Sequence, residues 1–277
     1  MPGTLYLVPT PIGNLEDISR RCADTLPAVD FIAAEDTRVT LKLLNHLGLK
    51  KPLVSYYRHN TAAGGKAVLE RLLAGESCAL VTDAGTPAVS DPGEELVARC
   101  AARDIPVVSI PGPCALITAL AASGLPTGRF TFEGFLAMNR KNRRAHLESL
   151  AGEERTMIFY EAPHKLRATL EDLKGAFGPD RRIALCRELT KIHEEIHRTT
   201  LGQAADWYGD NPPRGEFVLV VEGAQPETAA APDWPDALAR VEALQGEGLS
   251  LRDAVRQAAR ETGLPKNELY SRAVGKG

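Results

Sequence analysis

Cysteine is sparse in this chain of 277 residues, and its spacing argues against a disulfide framework or a cysteine-ligated zinc site. The five cysteines lie far apart, their number is odd, and no Cys-x-x-Cys pair occurs. We therefore expect a reducing compartment, the cytoplasm. Long apolar runs are missing too: no stretch of about 18 apolar residues occurs. The amino-terminal segment also lacks the basic start and apolar length of an export signal, so we expect neither export nor insertion into a membrane.

The common phosphate-binding motifs are missing as well. The sequence contains no Gly-x-x-x-x-Gly-Lys-Ser/Thr and no Gly-x-Gly-x-x-Gly, which argues against a nucleoside triphosphatase or a dinucleotide dehydrogenase. A net charge of −3 generates no overall positive field, so any RNA binding has to use local basic patches. The composition, 44% hydrophobic and 25% charged, is typical of a globular protein, and the length suggests about two domains.

Short apolar runs alternate with helical patterns, which predicts an α/β fold. Residues 1–123 predict an N-terminal α/β domain with a mainly parallel sheet. Residues 124–223 predict a second α/β domain with a mixed sheet. Residues 224–235 are rich in Pro and Ala without periodicity, a composition typical of linkers. Residues 236–277 predict two or three short helices, which form a small C-terminal helical domain.

The segment Val81–Gly93 is the clearest candidate for a ligand-binding loop. It follows a short apolar strand and contains two Asp, two Gly, two Pro and three small hydroxyl residues. An ordinary turn uses the same residue types, so the pattern alone leaves both interpretations open. Three other loops also follow predicted strands, at Pro9–Leu15, Glu35–Arg38 and Pro111–Pro113. Because the carboxyl ends of parallel strands meet at one edge of a sheet, we expect these loops to converge.

Two further segments carry charged or aromatic side chains with more than one interpretation. Asp36 or Thr37 suits the N-cap of a helix, whereas Arg38 opposes the helix dipole and suits a phosphate contact or a pair with Asp36. His59 lies in the loop Tyr56–Asn60, which is typical either of a substrate surface or of a structural turn.

The segment His193–His197 matches the zinc-protease pattern His-Glu-x-x-His. That chemistry requires a helix with a buried side and a third ligand close by. Here the flanking residues are polar and no later histidine occurs in the chain. We interpret the segment as a solvated polar stretch and predict no metal.

Basic residues form two clusters that are candidates for RNA binding. Arg140–Arg144 is the densest, and an exposed helix surface is its other interpretation. Arg252, Arg256 and Arg260 lie at i, i+4 and i+8 on one helical face, before the turn Gly263–Pro265. This pattern resembles a helix-turn-helix, although a small domain for packing or dimerisation uses similar helices.

Six segments, in this order, carry a resemblance to a known family: Leu5–Leu15, Ala34–Arg38, Val81–Gly93, Ile158–His164, Cys186–Lys191 and Gly215–Leu219. Together they resemble the bacterial ribosomal RNA small subunit methyltransferase I family of the tetrapyrrole methylase superfamily. The resemblance covers about residues 4–223, and the C-terminal helical region resembles that family's small terminal domain. Cys114 and Ala137 depart from the pattern, in which Ser and Pro are usual.

The resemblance implies transfer of a methyl group from S-adenosylmethionine to the ribose 2′-hydroxyl of a cytidine in the decoding region of 16S rRNA. It implies a cytoplasmic homodimer that acts on 16S rRNA or the small ribosomal subunit, with the cofactor in the cleft between two α/β domains. By position in the superfamily pattern, the expected cofactor-binding residues are Pro11, Asp83, Gly85, Thr86, Ala115, Leu116, Tyr160 and Glu188.

A ribose hydroxyl is a poor nucleophile, so we expect a base or a strongly orienting group within hydrogen-bond reach of it. The candidates are Asp36, His59 and Lys191. The candidate RNA contacts are Arg38, Arg140, Lys141, Arg143, Arg144, Arg252, Arg256 and Arg260.

Two other functions stay open on the sequence. One is methylation of a corrin precursor or another small molecule by a member of the same superfamily, which would not need basic C-terminal helices. The other is a non-catalytic RNA-binding factor that keeps the fold without the activity.

Overall fold

The computed structural model of the chain describes residues 1–225 and 234–275. These residues form two compact units, Met1–Ala224 and Gln225–Gly277, each with its own hydrophobic core. Most of the predicted linker 224–235 lies outside the described residues. Among the described helices, none combines the length and the apolar character that a membrane span requires.

The first sheet consists of five short strands: β1 (Leu5–Leu7), β2 (Phe31–Ala34), β3 (Leu53–Ser55), β4 (Cys78–Val81) and β5 (Val107–Ser109). Their order is β3-β2-β4-β1-β5, and every pair is parallel. The predicted parallel sheet is confirmed. Its central strands are apolar at nearly every position because helices cover both faces.

The helices that connect these strands are α1 (Arg20–Ala28), α2 (Thr37–His46), α3 (Thr61–Leu73) and α4 (Gly93–Ala101), and α5 (Ala115–Ser123) follows β5. Side chains at successive strand positions enter different cores, as the pleat requires. Phe31 and Ala33 pack with residues of α3 and α4, whereas Ile32 and Ala34 pack with residues of α1 and α2. The apolar helix α5 packs instead on the second sheet.

The second sheet is mixed, as predicted. It consists of β6 (Phe130–Phe135), β7 (Thr156–Glu161), β8 (Arg182–Arg187), β9 (Glu195–Thr200) and β10 (Phe217–Val221). The order is β6-β7-β10-β8-β9, with β6 parallel to β7 and the other pairs antiparallel. The helices of this half are α6 (Arg140–Ser149), α7 (Pro163–Phe177) and α8 (Leu201–Asp210). They cover one face of the sheet, and α5 covers the other.

Strand β9 contains the second half of the His-Glu-x-x-His segment. His197 pairs with Leu185 of β8, and its ring contacts the ring of Trp207 edge to face at 6.2 Å between centroids. The segment is therefore a turn followed by an edge strand, not a helix. Among the described residues, no group of three or more His, Cys, Asp or Glu side chains lies close enough to hold a metal ion.

The second unit contains three helices, α9 (Trp234–Gly246), α10 (Leu251–Thr262) and α11 (Lys266–Val274). Leu238, Val241, Val255 and Leu269 are among the buried side chains of its core. Helix α10 ends at Gly263, whose φ of 72° closes the turn before α11.

Candidate active site

A cleft of about 470 Å³ opens where the loops of the first sheet face the ends of β7, β8 and β10. This volume lies within the range of roughly 300–1,000 Å³ that is usual for small-molecule sites. Its walls on the first-sheet side include Ile12, Glu35, Thr82, Asp83, Ala84, Gly85, Thr86, Val89, Ser90, Asp91, Cys114 and Ala115. Its walls on the other side include Phe135, Tyr160, Glu161, Ala162, Pro163, Cys186, Leu189, Lys191, Glu216, Phe217 and Val218.

A second cavity, of about 480 Å³, lies beside α1. Its lining includes Tyr6, within β1, and Ser77, which precedes β4, and it contains none of the loops that leave the strands. Ligands of open α/β sheets bind beyond the carboxyl ends of the strands. We therefore assign the candidate active site to the first cleft, which the loops after the strands line.

The loop after β4 is held to its neighbours by main-chain and hydroxyl hydrogen bonds. Thr10 and Gly85 exchange two N–H to C=O bonds of 3.0 Å, and the Thr10 hydroxyl donates to the Thr82 carbonyl at 3.1 Å. The Thr86 hydroxyl donates to the Pro113 carbonyl at 2.8 Å. Gly85 has a φ of 89°, which favours glycine. The predicted convergence of the loops is confirmed.

Asp91 stabilises the far half of the same loop. Its Oδ1 accepts the N–H groups of Ala88 and Gly93 at 2.9 and 2.7 Å. Ala88 and Ser90 both have φ values near 68°, where a side chain costs free energy. Asp91 Oδ2 is buried without a hydrogen-bond partner, and burial raises the pKa of this carboxyl group.

Carboxylates from two adjacent strands lie together at the first wall of the cleft. Ala34 of β2 is in register with Val81 of β4, so Glu35 and Asp83 follow at the same sheet edge. Glu35 Oε2 accepts the Thr82 hydroxyl at 2.7 Å, and Asp83 Oδ1 accepts the Asp36 N–H at 3.1 Å. Burial and the neighbouring charge of Glu35 raise the pKa of Asp83.

Asp36 combines both interpretations that the sequence left open. Its Oδ1 accepts the Arg38 N–H at 2.8 Å and so caps α2, and its Oδ2 forms an ion pair of 2.6 Å with the Arg38 guanidinium. These hydrogen bonds to Arg38 lower the pKa of Asp36 to about 2. Such a carboxylate is a weak base.

Among the described residues that line the cleft, Lys191 is the basic side chain, and it is held by two carboxylates. Its Nζ lies 2.8 Å from Glu188 Oε1 and 2.9 Å from Glu216 Oε2. Burial by itself lowers the pKa of Lys191, but the two hydrogen bonds outweigh burial and the net pKa is raised. Lys191 is therefore protonated near neutral pH and donates hydrogen bonds, which argues against its predicted role as a base.

Aromatic side chains form the apolar part of the second wall. The Tyr160 ring lies edge to face against Phe132 and Phe135, with centroids 5.0 and 5.6 Å apart. Burial raises the pKa of Tyr160 to about 12, so its hydroxyl stays protonated. A planar apolar surface of this kind suits the face of a heterocyclic ligand.

Several of the predicted cofactor-binding residues line this cleft, namely Asp83, Gly85, Thr86, Ala115 and Tyr160. Pro11 and Leu116 lie beside the lining residues Ile12 and Ala115, and the Glu188 carboxylate is directed to Lys191. Of the predicted bases, Lys191 lines the cleft. Asp36 is not among the lining residues, but its N–H is bonded to the lining residue Asp83. His59 lies exposed before α3 and is not among the lining residues.

The predicted RNA contacts differ in exposure. Arg38, Arg140, Lys141 and Arg144 are exposed, as are Arg252, Arg256 and Arg260 on α10 of the second unit. Arg143 is directed inward instead: its side chain is 12% exposed and is bonded to residues of α7.

Several lining residues were not among the predicted site residues, namely Glu35, Glu161, Leu189 and Glu216, although Glu35 belongs to the loop Glu35–Arg38 that was expected at this edge. Glu35 and Glu161 lie at or directly after the carboxyl ends of β2 and β7, and this position was the available signal. Glu216 precedes β10, whose antiparallel direction brings its start to the same edge. That placement depends on strand pairing and has no local signal.

Comparison with known proteins gives two matches to family models. Residues 4–205 match the tetrapyrrole (corrin/porphyrin) methylases, and residues 231–276 match the RsmI C-terminal HTH domain. Among curated proteins, the ribosomal RNA small subunit methyltransferase I of Synechocystis is 50% identical over 97% of this chain and 96% of its own length. The protein of that name from Escherichia coli O157:H7 is 46% identical over 98% of this chain and 95% of its own length.

Solved structures share the fold of the first unit. Diphthine synthase has a TM-score of 0.60 at 13% identity, covering 79% of this chain and 90% of its own. The uroporphyrin-III C-methyltransferase of Thermus thermophilus, complexed with S-adenosylhomocysteine, has a TM-score of 0.55 at 18% identity, covering 79% and 97%. At these identities the likeness concerns the fold.

Proposed function

Because the chain belongs to the ribosomal RNA small subunit methyltransferase I family of the tetrapyrrole methylases, we propose that it methylates the ribose 2′-hydroxyl of a cytidine in the decoding region of 16S rRNA. The observation that carries this proposal is 50% identity over nearly the full length of a protein with that family name. The methyl donor is S-adenosylmethionine. The match of residues 231–276 to the family's own terminal domain favours rRNA over a corrin precursor as substrate.

The cleft fits this donor in size, surface and charge. Asp83 and Asp91 on one wall and Glu161 on the other give a negative environment for a cationic ligand. The unpartnered Asp91 Oδ2 and the aromatic surface at Tyr160 add a polar and an apolar component. We propose that the loop from Asp83 to Thr86, together with Ala115 and Tyr160, holds the donor. Pro11 and Leu116 adjoin lining residues in the chain, and Glu188 holds the lining residue Lys191.

When bound, S-adenosylmethionine supplies the methyl group on a sulfonium centre. The chain's own residues then have to bind both reactants, exclude water and accept one proton from the ribose hydroxyl. We propose Asp83 as the acceptor. Its Oδ1 is occupied by the Asp36 N–H, which leaves Oδ2 for the substrate proton, and its raised pKa makes it a better base than Asp36.

The exposed basic residues suit the phosphates of the RNA. Arg38 pairs with Asp36, whose N–H is bonded to Asp83 in the wall of the cleft, and Arg140, Lys141 and Arg144 lie exposed on α6. Arg252, Arg256 and Arg260 form a stripe on α10 in the second unit. We propose that these residues contact rRNA through their charge, and that the protein acts as a homodimer in the cytoplasm, as the family resemblance implies.

The direct test is to map 2′-O-methyl groups on 16S rRNA from cells with and without this protein, and to restore them with purified protein and S-adenosylmethionine. We expect one cytidine of the decoding region to lose its methyl group and to regain it with the wild type. An identical methylation pattern in both cells would refute the rRNA substrate. Methylation of a corrin precursor, but not of rRNA or small subunits, would favour the small-molecule reaction.

A further inference from the structure

Glu161 is a buried carboxylate in the wall of the cleft, and the proposed reaction as described above does not use it. It is the last residue of β7, is 4% exposed, and is paired with Phe217 of β10. Because an ionised carboxylate is costly to bury, its oxygens require partners. Oε1 accepts the N–H of Ala162 at 2.8 Å, and Oε2 accepts the Thr169 hydroxyl.

Thr169 connects Glu161 to Arg143. It is fully buried on α7, two turns after the end of β7. Its hydroxyl donates to Glu161 and accepts a hydrogen bond of 2.7 Å from Arg143 Nη2. A hydroxyl that accepts from a guanidinium is a stronger donor to a carboxylate, since the two bonds polarise each other. The threonine therefore transmits the effect of the cation to the cleft.

Arg143 differs from the other basic residues of α6. Its side chain is 12% exposed, and its Nε lies 2.5 Å from Asp172 Oδ2 on α7. The neighbouring Arg144 is 83% exposed and pairs with Glu148 on its own helix. The cation of Arg143 lies between two acidic groups, Asp172 directly and Glu161 through Thr169, and is not available to a phosphate.

The hydrogen-bonding capacity of Glu161 is not exhausted. Each oxygen of a carboxylate accepts about two hydrogen bonds, and each Glu161 oxygen has one protein donor. Because Glu161 is a lining residue, the remaining lone pairs suit a donor group of the ligand. The methyl donor offers such groups in its amino-acid part and in its nucleoside part.

We infer that Glu161 accepts a hydrogen bond from the methyl donor, and that Arg143 is a positioning residue that orients Glu161 through Thr169. The inference rests on the proposed function for the identity of the ligand. It also removes Arg143 from the proposed RNA contacts and makes it a support of the cofactor cleft. Arg144 remains a proposed RNA contact.

The test measures the affinity of the full-length protein for S-adenosylhomocysteine by calorimetry, beside its affinity for 16S rRNA. Glu161→Gln should weaken cofactor affinity about 10- to 100-fold, as for the loss of a charged hydrogen bond. Thr169→Val, which keeps the shape but lacks the hydroxyl, and Arg143→Met should each weaken it severalfold. Thr169→Ser, which keeps the hydroxyl, should restore it. None of these four should change RNA affinity.

Arg144→Met is the matched control on the same helix, and it should weaken RNA binding while leaving cofactor affinity unchanged. Arg143→Gln, which removes the cation but keeps a polar side chain, replaces Arg143→Met should the latter fail to fold by its melting temperature. Wild-type cofactor affinity in both Glu161→Gln and Thr169→Val would overturn the inference. If the Arg143 variant lost affinity for RNA but kept wild-type affinity for the cofactor, Arg143 would not be a positioning residue for Glu161.

Methylthioadenosine, which lacks the amino-acid part, identifies the ligand group that Glu161 contacts. If Glu161→Gln weakens S-adenosylhomocysteine but not methylthioadenosine, the partner is the amino group, and if both weaken equally, the partner is on the nucleoside. Either result supports the inference. A wild type that binds S-adenosylhomocysteine but methylates no rRNA would refute the proposed function and leave this inference standing.

Discussion

At the residue scale, the environment of each carboxylate decides its chemistry more than its residue type does. Asp36 and Asp83 are joined by one hydrogen bond, yet their pKa values move in opposite directions. Arg38 stabilises the charge of Asp36, whereas burial and the charge of Glu35 destabilise the charge of Asp83. Neighbouring groups whose pKa values are shifted in opposite directions are typical of sites that move protons.

The first prediction concerns the pH dependence of Asp83. A base has to be ionised to accept a proton, so the single-turnover rate should rise with pH through the raised pKa of Asp83 and level off above it. Asp83→Asn should lower the plateau about 10²- to 10⁴-fold and abolish that rise. The measurement is the rate at saturating donor and RNA from pH 4 to 8.

Stability supplies an independent check on Asp83. A folded-state pKa raised above the unfolded one disfavours folding above the unfolded pKa, and this cost disappears as pH falls below it. Asp83→Asn should therefore be at least as stable as the wild type at pH 7 and lose that advantage near pH 3. A variant with full activity and the wild-type pH profile would exclude Asp83 as the base.

The second prediction concerns the close contact between the loop Pro9–Leu15 and the wall of the cleft that contains Leu189 and Lys191. A Cβ at Gly13 would lie 2.5 Å from Lys191 Cγ and 3.0 Å from the Leu189 carbonyl. Gly13→Ala should therefore separate the two walls, cost about 1–3 kcal/mol of unfolding free energy and weaken S-adenosylhomocysteine binding. Gly128→Ala is the control, because a Cβ there meets nothing within 4 Å. Equal behaviour of the two variants would contradict the argument.

At the element scale, the loop between β4 and α4 adopts a conformation that its side chains alone do not favour. Ala88 and Ser90 have left-handed φ values, and the two hydrogen bonds to Asp91 offset that cost locally. The loop is thereby preorganised against the cleft, which reduces the ordering that a ligand has to induce.

The third prediction is that Asp91→Ala releases this loop. The variant leaves two N–H groups without an acceptor, and we expect a loss of about 1–3 kcal/mol in unfolding free energy with weaker binding of S-adenosylhomocysteine. Ser90→Gly serves as the contrast, because glycine relieves the left-handed strain and should keep or raise stability. Thermal unfolding and calorimetry report both quantities. An Asp91→Ala protein with wild-type affinity would show that the loop needs no such support.

At the scale of the whole molecule, the two units have separate hydrophobic cores. Every described residue that lines the cleft belongs to the first unit, and the stripe of Arg252, Arg256 and Arg260 belongs to the second. Donor binding and RNA binding should therefore respond to different substitutions.

The fourth prediction uses the salt dependence of RNA binding. Replacing Arg252 and Arg260 by Gln should reduce the slope of log affinity against log salt by about 1.5, because each lost phosphate contact removes roughly 0.7–0.9. Affinity for S-adenosylhomocysteine should not change. Arg240→Gln is the control, because Arg240 lies on α9, outside the α10 stripe, and pairs with Glu261 at 2.7 Å. An unchanged slope in the double variant would exclude the α10 stripe from the RNA contact.

The parallel sheet could be predicted because its strands are short, apolar and separated by helical patterns. Strand β9 and helix α8 were not predicted from the sequence, and for β9 the reason is physical. Strand β9 lies at the edge of its sheet and is half-exposed and polar, so no apolar run marks it. Its position is set by pairing with β8, and such pairing is non-local.

Arg143 illustrates the same limit at a single position. In the sequence it is one of four basic residues in the segment Arg140–Arg144, and only the packing of α6 against α7 directs it inward. Helical spacing places Arg143 on the same face as the buried Leu147 and Leu150, but its partners Thr169 and Asp172 lie in another helix and have no local signal.

The sequence by itself determined the class of fold, the family and the Val81–Gly93 loop, because these depend on local residue types in a fixed order. Only the tertiary structure decided which charges meet: Asp83 with Glu35, Lys191 with two glutamates, and Glu161 with Arg143 through Thr169. The physical reason is that the pairing of charges, and the pKa values that result, depend on the distances between side chains and on their burial. Those distances and that burial arise only when strands and helices from distant parts of the chain come together.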